Sequence, residues 1–108
     1  MAERRMFSKK ITQSAKFLKL PASARALYYD LGMAADDDGV VEAFTVKRMT
    51  GATDHDLELL EGYEFVTTLD VENEVVYILD WKINNSIQKD RYHKSIYYDY
   101  LVAIGYAD

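Results

Sequence analysis

Residues 40–79 read VVEAFTVKRMTGATDHDLELLEGYEFVTTLDVENEVVYIL, and the order of local signals in this stretch decides the fold. Val40 and Val41 open it as a short β-branched run. Phe44, Val46, Lys47, Arg48 and Met49 then read as a short helix closed by Gly51, since helices commonly end on a left-handed glycine. Thr53 is placed to cap a second helix, and Asp54 and Asp56 in its first turn suit the positive end of the helix dipole. Leu57, Leu59, Leu60 and Tyr63 supply the apolar face of that helix. Joined by Thr50, Gly51 and Ala52, the two short helices have helix-turn-helix proportions. Residues 65–69 and 75–79 are β-rich runs linked by the polar segment 70–74, where Asn73 favours a turn.

Upstream, Leu27, Tyr28, Leu31 and Ala35 recur at helical spacing behind Pro21, which predicts a helix over about 22–35 with Ser23 as a candidate cap. Asp36, Asp37, Asp38 and Gly39 end it as a polar turn; three consecutive aspartates lack the alternating ligand spacing of a calcium loop, so no metal site is expected. Before the proline, Ile11, Phe17, Leu18 and Leu20, with Ser14 as a candidate cap, read as one short helix. Past Trp81, the spacing of Ile96, Tyr97, Tyr100, Leu101 and Ile104 predicts a C-terminal helix from about Ser95. A helix, a short strand, two short helices and a hairpin form the winged-helix order. The expected fold is therefore α+β, mainly α: a winged helix-turn-helix with a three-helix core and a β-hairpin wing. An extra short N-terminal helix and a C-terminal helix flank it. The whole chain, 1–108, reads as one domain, with a core over about 22–80 and an extension over 81–108.

Charge is unevenly distributed. The net charge is −5, yet residues 1–29 carry seven Lys or Arg against Glu3 alone, a net of +6. Residues 30–80 carry fourteen acids against Lys47 and Arg48, and residues 81–108 return to +1. Such asymmetry suggests a polarised surface, or two chains packing basic ends against acidic middles. Nine tyrosines against one tryptophan suggest rings at a boundary, where a large apolar body with a polar tip is useful. There are no cysteines, which removes thiolate chemistry and fits a reducing cytoplasm. No apolar run follows the basic N-terminus as a secretory signal would require, and none approaches the roughly 18 residues of a membrane span.

Several phrases have a family look: RRMFSKKI (4–11), LPASARALYYDLGMAADDDG (20–39), MTGATDHDLELLEGYEFV (49–66) and WKINNSIQKDRYHKSIY (81–97). Together they resemble the N-terminal domain of phage replisome organisers, DNA replication initiation proteins related to the DnaD type. The resemblance covers residues 3–98. It implies a phage or prophage origin and a winged helix that binds DNA or self-associates. It also implies a separate C-terminal domain, absent from these residues, that recruits replication proteins. The departure from the family lies in the third helix of the winged fold, which usually carries some Lys or Arg. Here residues 54–64 hold Asp54, Asp56, Glu58, Glu61 and Glu64, with His55 the sole candidate cation. Carboxylates repel phosphates, so groove reading by that helix is disfavoured.

The candidate DNA-binding residues are accordingly the cations elsewhere. Arg4, Arg5, Lys9 and Lys10 form an N-terminal cluster, Lys47 and Arg48 lie on the first helix of the helix-turn-helix, and Lys89, Arg91 and Lys94 interleave with Tyr92 and His93. Their structural alternatives are a frayed terminus, a solvated helix face, and a loop wrapped over the wing with Tyr92 and Trp81 as core. The partner is DNA, origin or single-stranded, with low sequence specificity from this domain. The apolar side of the C-terminal helix, Tyr97, Tyr100, Leu101 and Ile104, is the candidate self-association surface for a homo-oligomer. No cofactor is expected and no membrane partner. His55 and His93 stand apart from any nucleophile and the five glycines are scattered, so no enzyme chemistry is expected either. The other readings are a self-association module with little DNA binding of its own, and a transcription regulator.

Overall fold

Helix α3 (Ala22–Ala34) is the organising element because five of its residues, Ala24, Leu27, Tyr28, Leu31 and Gly32, turn one buried stripe toward the rest of the chain. The computed structural model describes residues 5–85, 92 and 94–106. Two single helical turns precede it, α1 (Lys9–Thr12) and α2 (Ala15–Leu18). After it come β1 (Val40–Glu42), α4 (Ala43–Thr50) and α5 (Asp54–Gly62). The hairpin strands β2 (Val66–Asp70) and β3 (Val75–Ile78) follow, then α6 (Trp81–Asn84) and α7 (Tyr98–Ala103). The fold is α+β and mainly helical, with one antiparallel three-stranded sheet in the order β1-β3-β2.

Central strand β3 is buried along its whole length. It pairs with β1 through Val40↔Tyr77, Val41↔Val76 and Glu42↔Val75. It pairs with β2 from Val66↔Ile78 to Asp70↔Val75, with an irregularity between Thr68 and Asp70. Val46, Leu60, Val66, Val75, Val76 and Ile78 join Leu27, Tyr28 and Leu31 in one core. Gly51 closes α4 at φ +79°, and Thr53 caps α5 in a reciprocal box with Asp56, so the tight joint between these helices rests on the residue types that such ends favour. Gly39 turns the chain at φ +82°, and a Cβ there would lie 2.4 Å from the Trp81 ring, so both conformation and close approach require glycine.

Four expectations change. The single helix before Pro21 is two turns, because Ser14 breaks the run: its hydroxyl donates to the Ile11 carbonyl and accepts from the Phe17 amide. Leu18 is consequently exposed, while Ile11, Phe17 and Leu20 are buried. Ser23 does not cap α3; its hydroxyl donates to Asp56 Oδ1 at 2.7 Å, tying α3 to α5. The C-terminal helix starts at Tyr98 rather than Ser95. Tyr63 and Tyr92 are exposed rather than core, while Trp81 is buried and donates through Nε1 to the Asp37 carbonyl at 2.9 Å.

The N-terminal segment is held by the far end of the chain. Asn84 Oδ1 accepts from the Ser8 amide at 2.7 Å and its Nδ2 donates to the Tyr28 hydroxyl at 2.8 Å. Asn85 Oδ1 accepts from the Met6 amide at 2.8 Å and its Nδ2 donates to the Met6 carbonyl. Burial pushes the Tyr28 phenol up to about 12, against the lowering effect of its bond to Asn84, so this ring stays a neutral hydrogen-bonding group.

Candidate functional site

Two surfaces of opposite charge stand out. The first is the groove between α5 and the β2–β3 hairpin. Asp54, Glu58 and Glu61, at helical spacing i, i+4 and i+7, line it together with Leu57, Val71 and Glu74, enclosing about 420 Å³. Lys47 reaches into the groove from α4, with Nζ 2.5 Å from Asp54 Oδ1 and bonded to Glu74 Oε1 as well. Its side chain is only 10% exposed. Burial pulls its ammonium down, but the bonds to Asp54 and Glu74 outweigh that and hold it above the ordinary lysine value. Glu61 accepts from the Thr68 hydroxyl, and His55 lies 3.9 Å from Glu58. The groove is thus acidic with apolar residues among its lining, and the one ammonium it holds among the described residues is already neutralised. A phosphate entering it would meet uncompensated carboxylates.

The second surface is the pair of turns α1 and α2. Lys9, Lys10, Lys16 and Lys19 are all exposed, and among the described residues none has a carboxylate within ion-pair distance. Turns this short do not persist alone. They are fixed here by buried Ile11, Phe17 and Leu20 and by the Ser8 and Ser14 caps. The Phe17 ring lies 5.2 Å from Tyr28 and 5.4 Å from Phe65, edge-on to both, and Lys16 Nζ sits 4.7 Å over the Phe65 ring. The outcome is an array of exposed lysines, one of which, Lys16, rests its ammonium over the Phe65 ring. Lys16 and Lys19 belong to it although only Lys9 and Lys10 were expected; their signal was the +6 charge of residues 1–29.

The other expected residues scatter. Arg5 leaves the DNA-binding set: its guanidinium is 2% exposed, bonds to the Ala35 carbonyl at 2.7 Å and pairs with Asp37, whose side chain is fully buried. It also lies 5.2 Å from the Trp81 ring centre, so its role is to close the core beneath the Asp36–Asp38 turn. Lys47 leaves the set for the reason given above. Arg48 is exposed on α4, and Lys94 is exposed with Nζ 4.3 Å over the Tyr98 ring. Arg4, Lys89, Arg91 and His93 lie outside the described residues. Of the self-association set, Leu101 is 2% exposed and belongs to the chain's own core, which withdraws it from any partner. Tyr97 is half-buried, donating to Glu42, whereas Tyr100 and Ile104 are exposed.

Among the described residues no group of three His, Cys, Asp or Glu stands together as a metal site, and no helix is long and apolar enough to cross a membrane. The Asp36–Asp38 turn uses its carboxylates internally: Asp36 accepts from the Asp38 and Val40 amides, and Asp38 from the Tyr92 hydroxyl and the Ser95 amide. No protein-family model, curated protein or solved structure matches the chain.

Proposed function

We propose that the chain is a winged-helix module of a replication initiation protein of the replisome organiser type, a non-enzymatic, cytoplasmic domain that holds DNA by its backbone. In this reading α3, α4 and α5 are the three-helix core and β2–β3 is the wing. The observation that supports the DNA contact is the array of four exposed lysines on α1, on α2 and at the α2 C-cap, which have no carboxylate within ion-pair distance among the described residues. Lysines so placed contact phosphates without reading bases, which gives low sequence specificity and steep salt dependence. The acidic α5 groove, whose carboxylates repel phosphate, takes no part in this contact. The test is fluorescence anisotropy of a labelled duplex with the Lys9→Glu, Lys10→Glu, Lys16→Glu, Lys19→Glu variant. Loss of binding supports the reading, and wild-type affinity would remove it.

The second reading, a self-association module, is favoured by a separate observation: Tyr100 on α7 and Ile104 at its C-cap remain exposed, at 44% and 48%. Their replacement by serine would then lower the mass in solution, measured by light scattering, while leaving the duplex affinity unchanged.

A further inference from the structure

The lysines of the N-terminal turns and the carboxylates of the α5–hairpin groove do not satisfy one another within a single chain. Among the described residues, no ammonium of Lys9, Lys10, Lys16 or Lys19 lies within ion-pair distance of a carboxylate. On the groove side Lys47 takes Asp54 and Glu74. Glu58 then faces His55 at 3.9 Å, and Glu61 accepts from the Thr68 hydroxyl. The groove is also more than a row of acids. Leu57 is half-buried in its lining, and Val71, between the hairpin strands, is 82% exposed, so an apolar side chain finds contacts there. The basic turns carry the converse arrangement. Leu18 on α2 is 52% exposed, with Lys16 and Lys19 on either side of it in sequence, and α1 with Lys9 and Lys10 packs against α2.

Charge alone would admit any polycation to the groove. An exposed apolar side chain flanked by lysines on a short helical turn is a narrower requirement, and the chain itself meets it. We infer that the groove of one copy takes the basic turns of a second copy, so that a neighbour's groove and a DNA backbone compete for the same lysines. Leu18 then lies against Leu57 and Val71, and the lysines lie against Glu58 and Glu61. The inference rests on the DNA reading above and adds its regulation: the array is covered in the concentrated free protein and uncovered by DNA. The contact joins two different patches, so it is heterologous and leaves an open end on each terminal copy. It consists of exposed ion pairs around one apolar contact, and such pairs are weak and screened by salt. A duplex releases counterions as the lysines neutralise its phosphates, and so displaces the groove. At salt concentrations that keep the chains apart, a duplex meets the turns alone; at low salt and high protein concentration it also frees the groove.

Sedimentation velocity of the whole chain tests this with two neutral variants. One carries Glu58→Gln and Glu61→Gln; the other carries Lys9→Gln, Lys10→Gln, Lys16→Gln and Lys19→Gln. Every replaced residue is exposed, so the fold is spared. The wild type should sediment as more than one chain at low salt and as a single chain at high salt. Each variant alone should be a single chain at low salt. Their equimolar mixture should give one species of two chains, because one intact groove meets one intact array. Adding duplex should separate that species into DNA-bound groove variant and free lysine variant. Leu18→Ser should weaken the association of the otherwise wild-type chain and leave its duplex affinity, read by anisotropy, unchanged. Wild-type mass in both variants alone would place the contact elsewhere and overturn the inference. Single chains throughout the mixture would overturn it too, and duplex binding lost only in the lysine variant would then leave the DNA reading standing by itself. A mixture that pairs but keeps its mass with duplex present would overturn the competition. Anisotropy of the groove variant then decides the DNA reading separately, since a failure to bind duplex would remove that reading as well.

Discussion

At the N-terminal turns four exposed lysines have no described carboxylate beside them, whereas in the α5–hairpin groove the one described ammonium, that of Lys47, is held by Asp54 and Glu74. The two regions differ in what their charges are paired with, and that difference, more than the net charge of −5, determines which can meet a polyanion. Unpaired surface ammonium groups cost little to bring to a phosphate, because they have only water and counterions to release. Lys47 would first have to give up two carboxylates in a partly buried setting. The same residue type is therefore left open to solvent in one region and tied into the fold in the other.

The comparison breaks most severely if the basic surface loses its footing. Phe17 is 1% exposed and is the ring on which α2 sits. Phe17→Ala should cost about 3–5 kcal/mol in denaturant unfolding and weaken duplex binding with it, since the turns cannot hold their shape alone. Unchanged stability would mean that α2 is not part of the core. Inverting the groove is the next largest change: Glu58→Lys with Glu61→Lys adds two cations beside the hairpin and should raise low-salt duplex affinity roughly tenfold or more. An unaltered affinity would show that carboxylate repulsion is not what keeps DNA out of the groove.

Smaller effects sharpen how α5 is held in place. Thr53→Ala removes the cap of α5 and should cost about 1 kcal/mol, read as a lowered denaturation midpoint with unchanged slope. Asp56, 5% exposed, has its carboxyl held below the usual aspartate range, first by the Ser23 hydroxyl and then by the Thr53 amide, with burial opposing. Its stabilisation is therefore complete above the ordinary carboxylate range and is lost as pH falls through the lowered folded value. Asp56→Asn should flatten the acid limb of the stability profile; an identical limb would assign acid sensitivity to other groups.

Much of the fold was legible because its signals are local. Gly51 and Thr53 mark their helix ends by backbone conformation and capping chemistry, which neighbours hardly alter. The β runs at 65–69 and 75–79 match β2 and β3 to within a residue. What sequence could not disclose was long-range. Arg5 reads as part of a basic terminus, and only the fold brings it within 3.2 Å of Asp37, 32 positions away. Lys47 likewise meets Glu74 across 27 positions. Asn84 and Asn85 carry no local signal of their role, yet they hold Ser8 and Met6 and thereby the basic turns. Charge type was readable, then, and charge pairing was not, so half of the candidate site had to come from three-dimensional contacts.

The most direct test of the central claim is an amide chemical-shift titration of the whole chain with a short DNA duplex, followed residue by residue. If the basic turns hold the backbone, amides over residues 9–19 shift first and furthest, and those over 54–61 and 70–75 stay in place. Leading shifts over 54–61 with silent turns would contradict the account and return the acidic helix to the DNA groove.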